Sequence, residues 1–196
     1  METFIEHTHG LEQHIKVARA RAGVLMLILS DALAVLAILA AGGYLRALNT
    51  EGMYKVAGDF APAFLPGLLI AIALVLSGLA YYWWERQVRR PGEAGQPLFF
   101  LLAWVLMLVA GVGATWIGAS LKYGVTIHAY ESVQLLLIWF TAVHLLLAAF
   151  VGLLLGGRIL RGRLAGQEFI VEVVGYWWYY TVVASILLWL FGVYLT

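Results

Sequence analysis

Five long apolar runs, separated by short polar segments, dominate the pattern of hydrophobic and polar positions along the chain. A hydrocarbon core about 30 Å thick is crossed by about 20 residues of α-helix, and each run is long enough to cross it. The pattern predicts an all-α integral membrane protein, a bundle of five transmembrane helices within residues 22–196, after a polar N-terminal segment at 1–21. The predicted helices are at about residues 23–45, 64–84, 98–121, 130–155 and 173–195.

The composition supports this class. With 63% hydrophobic and 12% charged residues and a mean hydropathy of +0.91, the chain has too little polar surface for a water-soluble domain. Its net charge of +1 argues against nucleic-acid binding, which needs a concentrated basic patch. The absence of cysteine excludes disulfides, thiolate catalysis and cysteine-ligated clusters. Residues 1–18 lack the apolar stretch of a signal peptide, so we expect the first helix to direct membrane insertion.

The distribution of basic residues predicts the orientation. Most of the 12 Lys and Arg residues lie in the N-terminal segment and in the second and fourth loops. The positive-inside rule places this side in the cytoplasm and the C-terminus outside. We therefore expect a multi-pass protein of the cell inner (plasma) membrane. The residues of the basic side are Lys16, Arg19, Arg21, Arg86, Arg89, Arg90, Arg158, Arg161 and Arg163, and those of the other side are Arg46, Lys55 and Lys122.

Asp31 is an acidic residue inside the first apolar run, about 12 Å inward from Gly23 at the rise of an α-helix. An acid at the membrane midplane costs about 2.5–3.5 kcal/mol on insertion scales and usually faces protein. We expect Asp31 to face a neighbouring helix, either as a protonated acid donating one hydrogen bond or as a group that handles protons. It borders a stripe of small residues, of the kind that lets helices approach closely in lipid. The stripe comprises Gly23, Ser30, Ala34, Ala37 and Ala41.

Three further polar residues are candidates for buried or proton-related roles. His144 is the histidine of the predicted spans, and Thr141 precedes it by three residues, so the two side chains can meet. A hydrogen-bonded core residue is the commoner role for such a histidine, and a metal ligand is the other. Glu172 lies one turn before Tyr176, which allows an intrahelical hydrogen bond, a lipid head-group contact or simple hydration.

Aromatic residues cluster near the ends of two predicted helices. The second helix ends in YYWW at 81–84 before a basic residue, which is typical of an interfacial aromatic belt with a basic anchor. The fifth helix begins with YWWYY at 176–180. We assign lipid contact or packing to Trp83, Trp84, Arg86, Tyr176 and Trp177.

No catalytic or metal-ligating set is recognisable in the sequence. A bis-histidine haem site needs paired histidines in facing helices, whereas His144 stands alone and His128 lies in a loop. Five helices cannot form the two equal halves common in transporters. We therefore predict neither catalytic nor metal-binding residues in this chain, while a haem ligand shared with another subunit stays open.

The first two helices resemble subunit III of haem-copper terminal oxidases, particularly the five-helix form of quinol oxidases. That family begins with Lys or Arg, then Gly, then an apolar run reading roughly L-x-x-S-[ED]. The segment RAGVLMLILSDAL matches it through Arg21, Gly23, Ser30 and Asp31. The second helix of the family starts with Leu-Pro and has small residues midway, as here at Leu65, Pro66, Ser77 and Gly78.

The fourth and fifth helices continue the resemblance in the same order, as a divergent member would. The family carries T-G-x-H-x-x-H in its fourth helix and Y-W-H-F-V-D-V-V-W in its last. The matching positions are Thr141, His144, Tyr176 and Trp177, and the departures are Leu147, Trp178 and Thr181.

The resemblance implies a non-catalytic oxidoreductase subunit that packs against catalytic subunit I, stabilises it, and supports proton uptake during electron transport to oxygen. It also implies structural phospholipid in a cleft between helices, with haem and copper held by partner subunits rather than by this chain. The alternatives are a haem b or quinone-binding anchor of a respiratory dehydrogenase-type complex, and a free-standing transporter or lipid-binding protein. The electron donor, quinol or cytochrome c, and the acceptor, oxygen or nitric oxide, stay open.

Overall fold

A computed structural model describes residues 2–49, 52, 54–55, 64–90, 95–121, 128–164 and 166–195, with side chains described from residue 13 onward. These residues form five α-helices, each long and apolar enough to cross a membrane. The prediction of an all-α chain with five helices that could span a membrane is confirmed for this part of the protein. The helices are α1 (Glu2–Ala47), α2 (Phe64–Val88), α3 (Pro97–Ser120), α4 (Ala129–Leu160) and α5 (Phe169–Leu195).

Several helices extend beyond the apolar runs, because backbone hydrogen bonding continues where the hydrophobic pattern ends. α1 has 46 residues and takes in most of the predicted N-terminal segment. α4 continues to Leu160, and Gly162, two residues beyond its end, has a φ of +62°. There the Gly162 and Arg163 amides donate to the carbonyls of Ile159 and Arg158, a glycine-terminated cap that stops the helix.

The four helices α2 to α5 form a bundle in which α2 packs on α3, α3 on α4, α4 on α5, and α5 on α2. α1 lies outside the bundle, against α5 and, over a smaller area, α4. Small residues allow α3 and α4 to approach closely, and large side chains fill the centre. The buried core includes Tyr81, Trp84, Ala103, Met107, Ala110, Ala142, Leu145 and Trp178.

The small-residue stripe of α1 does not face the bundle. Ser30, Ala34 and Ala37 are exposed, and a Cβ atom added at Gly23 would meet no described atom within 4 Å. The stripe therefore makes no close contact with another helix among the described residues. The contact face lies beside it, where Val35 and Gly42 are buried.

Tyr54 anchors the described part of the connection after α1. Its amide donates to Asn49 Oδ1 at 2.9 Å, and its carbonyl accepts from the Tyr130 amide at 3.3 Å. Burial raises the pKa of the Tyr54 hydroxyl above its ordinary value. These hydrogen bonds join the connection to the first turn of α4.

Gly152 provides a test of the bundle packing. A Cβ atom there would lie 2.7 Å from Trp104 Cδ1 and 2.9 Å from Trp178 Cζ3. Both rings are held by hydrogen bonds of their indole nitrogens, to the Ala149 carbonyl and to Ser77 Oγ. We expect Gly152→Ala to lower the free energy of unfolding by about 1–3 kcal/mol through overpacking. Apparent melting temperature in mild detergent, followed by size-exclusion chromatography, measures the change.

Gly157→Ala is the matched control on the same helix, because a Cβ atom there meets no described atom within 4 Å. It should be neutral or stabilising by up to about 1 kcal/mol, from helix propensity alone. Equal melting temperatures for the two variants would contradict the described packing.

Candidate functional site

Three ionisable side chains meet where α1 packs against α4 and α5, and we call them the Asp31–His144–Tyr180 triad. Asp31 Oδ1 lies 2.8 Å from His144 Nε2. The Tyr180 hydroxyl donates to Asp31 Oδ2 at 2.6 Å. The side chains of Asp31 and His144 are only 16% and 17% exposed. Each residue lies near the middle of its helix, so the three groups satisfy one another at a depth where lipid offers no hydrogen bonds.

The hydrogen bonds of His144 define where the His144–Asp31 pair carries its protons. His144 Nδ1 lies 2.7 Å from the Phe140 carbonyl oxygen, which only accepts, so Nδ1 carries a proton. One further proton then lies between His144 Nε2 and Asp31 Oδ1, on either partner. The pair is neutral as a whole in both arrangements, since a charged imidazolium faces a carboxylate and a neutral imidazole faces a carboxylic acid.

Aromatic rings surround His144. The Phe140 ring stacks on it at a centroid distance of 4.1 Å, and the Trp177 ring lies at 6.1 Å. Trp177 is buried, and its indole nitrogen has no hydrogen-bond partner among the described residues. Trp177, assigned to lipid contact or packing from the sequence, thus lies beside a polar site rather than only at a lipid boundary.

Thr141 lies apart from the triad. The described hydrogen bonds of His144 go to Phe140 and Asp31, whereas Thr141 lines a cavity inside the bundle. Two side chains three residues apart on an α-helix point about 60° apart around the helix axis. That offset turns His144 toward α1 and Thr141 toward the centre of the bundle.

Glu172 belongs to a second polar cluster, where α1, α2 and α5 meet near the basic end. Arg21 Nη2 donates to Glu172 Oε2 at 2.8 Å, and Arg89 Nη2 approaches the same oxygen at 3.4 Å. The Tyr176 hydroxyl donates to Glu172 Oε1. Of the roles that the sequence left open for Glu172, the intrahelical hydrogen bond with Tyr176 is therefore present. Two arginines also contact the Glu172 carboxylate.

Glu85 is a buried member of this cluster that the sequence analysis overlooked. Its Oε1 lies 3.2 Å from Arg89 Nη1, and its Oε2 accepts from the Tyr179 hydroxyl at 2.6 Å. Arg89 therefore bridges Glu85 and Glu172. The spacing of four residues between Glu85 and Arg89 predicts an ion pair on one helix face, and it could have identified Glu85. Tyr180 was also missed, and its only sequence signal was its position in the aromatic run.

The aromatic run at the end of α2 alternates between the core and the surface. Trp84 is 1% exposed and packs on Phe100, whereas Trp83 is 53% exposed. Arg86 Nη1 approaches the hydroxyl of exposed Tyr82 at 3.3 Å. Only half of the predicted aromatic belt therefore faces outward, and Trp84 packs in the core.

The two polar clusters follow one face of α5. Glu172, Tyr176 and Tyr180 are spaced four residues apart, so they lie on successive turns. Tyr176 bonds to Glu172, and Tyr180 bonds to Asp31. Protonatable groups thus extend from the arginine-bound carboxylate to the triad, with one helical turn, about 5.4 Å, between the two tyrosines.

The triad does not fit an axial haem site. Both ring nitrogens of His144 are engaged, so iron ligation would require the loss of the Asp31 or Phe140 contact. Among the described residues, no group of three or more His, Asp or Glu side chains is arranged to hold a metal ion.

Comparison of the sequence with known protein families gives no match, and comparison with characterised proteins gives none either. The resemblance to subunit III therefore stays a prediction based on the residues named above.

A double-mutant cycle tests the triad. Asp31→Leu removes the carboxylate and leaves His144 Nε2 and the Tyr180 hydroxyl without their partner. We expect it to lower the free energy of unfolding by about 1–3 kcal/mol. The double variant Asp31→Leu/Tyr180→Phe should lose less free energy of unfolding than the two single variants lose together. The difference, a coupling free energy, should be about 0.5–3 kcal/mol. Unfolding of the purified chain in mixed detergent micelles measures each value.

Ser30→Ala, on the exposed neighbour of Asp31, is the control and should leave stability unchanged. Strictly additive effects of Asp31→Leu and Tyr180→Phe would show that the two side chains do not interact.

Proposed function

We propose that this chain is a subunit III-like, non-catalytic component of a respiratory haem-copper oxidase that stabilises the catalytic subunit and supports proton uptake. The observation that carries the proposal is the Asp31–His144 hydrogen bond of 2.8 Å. These two residues are the polar positions of the first and fourth helices on which the family resemblance depends. They are 113 positions apart in the sequence, yet they form one buried pair.

The polar groups along α5 support a role in proton uptake. Glu172 is held by two arginines, and Tyr176 and Tyr180 extend from it toward Asp31. Carboxylates, phenols and imidazole all exchange protons, and in membrane proteins such residues mark proton relays. In this proposal the triad holds a proton during turnover of the catalytic subunit.

The proposal assigns the electron-transfer cofactors to partner subunits. Haem and copper would be bound by subunit I, and structural phospholipid would lie at helix clefts of this chain. The alternative of a haem b anchor is disfavoured, because both nitrogens of His144 already have partners. No described contact favours a quinone-binding anchor over the oxidase subunit.

The orientation is part of the proposal, with the N-terminus in the cytoplasm and the C-terminus outside the inner membrane. The ion pairs of Arg21 and Arg89 with Glu172 support it, because they bring the basic segment before the apolar part of α1 and the basic segment at the end of α2 to one end of the helices. Basic segments on one side favour a cytoplasmic location for that side.

Cysteine labelling tests the orientation, since the natural sequence contains no cysteine. Ala18→Cys and Leu48→Cys place thiols at exposed positions on opposite ends of the α1 span. In intact cells a membrane-impermeant maleimide should label Leu48→Cys, and should label Ala18→Cys only after permeabilisation. The cysteine-free chain controls for background, and the reverse pattern would contradict the orientation.

Co-purification tests the oxidase proposal. The tagged chain, extracted from its native membrane in mild detergent, should bring with it a complex that absorbs as haem and consumes oxygen.

Asp31→Asn keeps the shape of the side chain but removes its titratable proton. We expect it to slow oxygen consumption several-fold, or to hasten its loss over repeated turnovers, with recovery in Asp31→Glu.

Glu168→Gln, at an exposed carboxylate before α5, is the matched control and should leave turnover unchanged. Unchanged turnover in Asp31→Asn would contradict the proton role and leave a packing role for Asp31. Recovery of the chain alone, as a stable homo-oligomer without haem, would contradict the oxidase assignment itself.

A further inference from the structure

A cavity of about 150 Å³ lies inside the bundle of α2, α3, α4 and α5. No residue of the triad lines it, so the cavity is a separate feature of the chain. Most of the wall is apolar, and Leu137 and Leu188 are among the residues that form it. The wall also includes three residues with polar side chains, Gln134 and Thr141 of α4 and Ser185 of α5.

The two hydroxyl groups of the wall are unpaired. Ser185 is 3% exposed, and neither its hydroxyl nor that of Thr141 makes a hydrogen bond with another described residue. Other helical hydroxyls of the bundle do find partners. Thr115 Oγ1 donates to the carbonyl one turn earlier at 2.8 Å, and Ser77 Oγ donates to a carbonyl of α3 at 2.7 Å. Because an unpaired buried hydroxyl is costly, proteins satisfy nearly all such groups with protein atoms or with water.

The helices α4 and α5, which carry these hydroxyls, run antiparallel. Gln134, near the start of α4, donates from Nε2 to the carbonyl of Gly192, near the end of α5, at 2.8 Å. Gly152, late in α4, packs against the Trp178 ring, early in α5. Positions that follow Gln134 on α4 therefore face positions that precede Gly192 on α5.

This register places the two hydroxyls at the same height. Thr141 comes seven residues after Gln134, and Ser185 comes seven residues before Gly192. Seven residues correspond to about 10.5 Å, or two turns, on either helix. Thr141 and Ser185 therefore lie opposite each other across the cavity that both of them line.

Two further polar groups on the same helices have free hydrogen-bonding capacity. Gln134 is 1% exposed, and its described hydrogen bond uses the amide nitrogen, which leaves the amide oxygen as an acceptor. One turn before Ser185, Thr181 is also 1% exposed, and its Oγ1 has no hydrogen-bond partner among the described residues. The polar groups at the α4–α5 interface are thus more numerous than the hydrogen bonds between them.

Water matches these groups better than an apolar molecule does. A buried water molecule needs two to four polar partners, and hydroxyl groups and an amide oxygen supply both donors and acceptors. A cavity of about 150 Å³ has room for several water molecules, each of which takes about 30 Å³ in the liquid. An apolar occupant would leave the hydroxyls of Thr141 and Ser185 unpaired.

We propose that the cavity inside the bundle binds a small cluster of water molecules, anchored by Thr141, Ser185 and the amide oxygen of Gln134. The cluster bridges α4 and α5 where the two hydroxyls face each other. The anchoring groups all belong to this chain, so the water site does not depend on the oxidase proposal. Either conclusion can fail while the other stands.

Radiolytic labelling of the natural full-length chain tests the site. The chain is reconstituted into vesicles of phosphatidylethanolamine and phosphatidylglycerol and exposed to short X-ray pulses, which convert water into hydroxyl radicals that oxidise the nearest side chains. Peptide mass spectrometry should find Leu137 and Leu188 oxidised several-fold faster than Leu145 and Leu155. All four leucines are almost fully buried, but only the first two line the cavity. Equal oxidation of the two pairs would overturn the proposal, because a dry cavity and one that holds an apolar molecule both give that result.

Removal of the hydroxyls gives the second arm. The double variant Thr141→Val/Ser185→Ala changes the side-chain volumes little, and we expect the oxidation of Leu137 and Leu188 to fall to the level of Leu145. Thr115→Val is the matched control, because the Thr115 hydroxyl bonds within its own helix and the residue does not line the cavity. It should leave the oxidation of both lining leucines unchanged.

Ser185→Ala alone is the milder variant if the double variant does not fold, and it should lower the oxidation of Leu137 and Leu188 in the same direction. Unchanged oxidation of these leucines in the folded hydroxyl-free variant would overturn the proposal. An equal fall in Thr115→Val would overturn it as well, because the loss would then not depend on the hydroxyls of the cavity.

Discussion

A carboxylate in the middle of a membrane helix must find its hydrogen bonds inside the protein, and this constraint determines how α1 joins the other helices. Lipid chains are as apolar as leucine, so burial in lipid does not by itself drive two helices together. Among the described side chains of α1, only Val35 and Gly42 are buried. The hydrogen bonds of Asp31 to α4 and α5 therefore help to fix the rotation and depth of a helix that buries few of its side chains.

The contacts of α1 with α5 follow a regular order. Arg21 binds Glu172, Asp31 binds Tyr180, and Arg46 donates to the carbonyl of Tyr194. Successive contacts are 10 and 15 residues apart on α1 and 8 and 14 residues apart on α5. Both series increase together, so the two helices run parallel with nearly matched spacing. Polar contacts at both ends and the middle thus hold α1 in register along the bundle.

Hydrophobic pattern and helix periodicity predict much of this fold but not its contacts. The apolar runs gave the five helices because crossing a hydrocarbon layer requires a minimum length. The depth of Asp31 correctly indicated protein around it, because a lone acid is unstable in lipid. Periodicity groups residues by helix face, yet it cannot say which face meets protein. The small-residue stripe of α1 is exposed, for example, whereas Val35 and Gly42 beside it are buried.

The contacts that the sequence did not reveal come from residues hidden in aromatic runs. Consecutive residues of a helix point about 100° apart, so a run of four aromatics cannot face one surface. Tyr81 and Trp84 enter the core while Tyr82 and Trp83 face outward. Tyr180 is the third group of the triad for the same reason, since it points to α1 while its neighbour Trp178 fills the bundle centre.

The cavity inside the bundle, which Thr141 lines, arises from specific side chains rather than from loose packing overall. On α3 the turns before and after Ala114 are tight against α4. A Cβ atom at Gly111 would lie 3.1 Å from Leu146, and one at Gly118 would lie 3.1 Å from Ile138. Between these two tight contacts, Ala114 lines the cavity together with residues of α2, α4 and α5. Small residues on α2 and α5, among them Gly67, Ala71, Ser185 and Gly192, leave part of the space between the larger lining side chains unfilled.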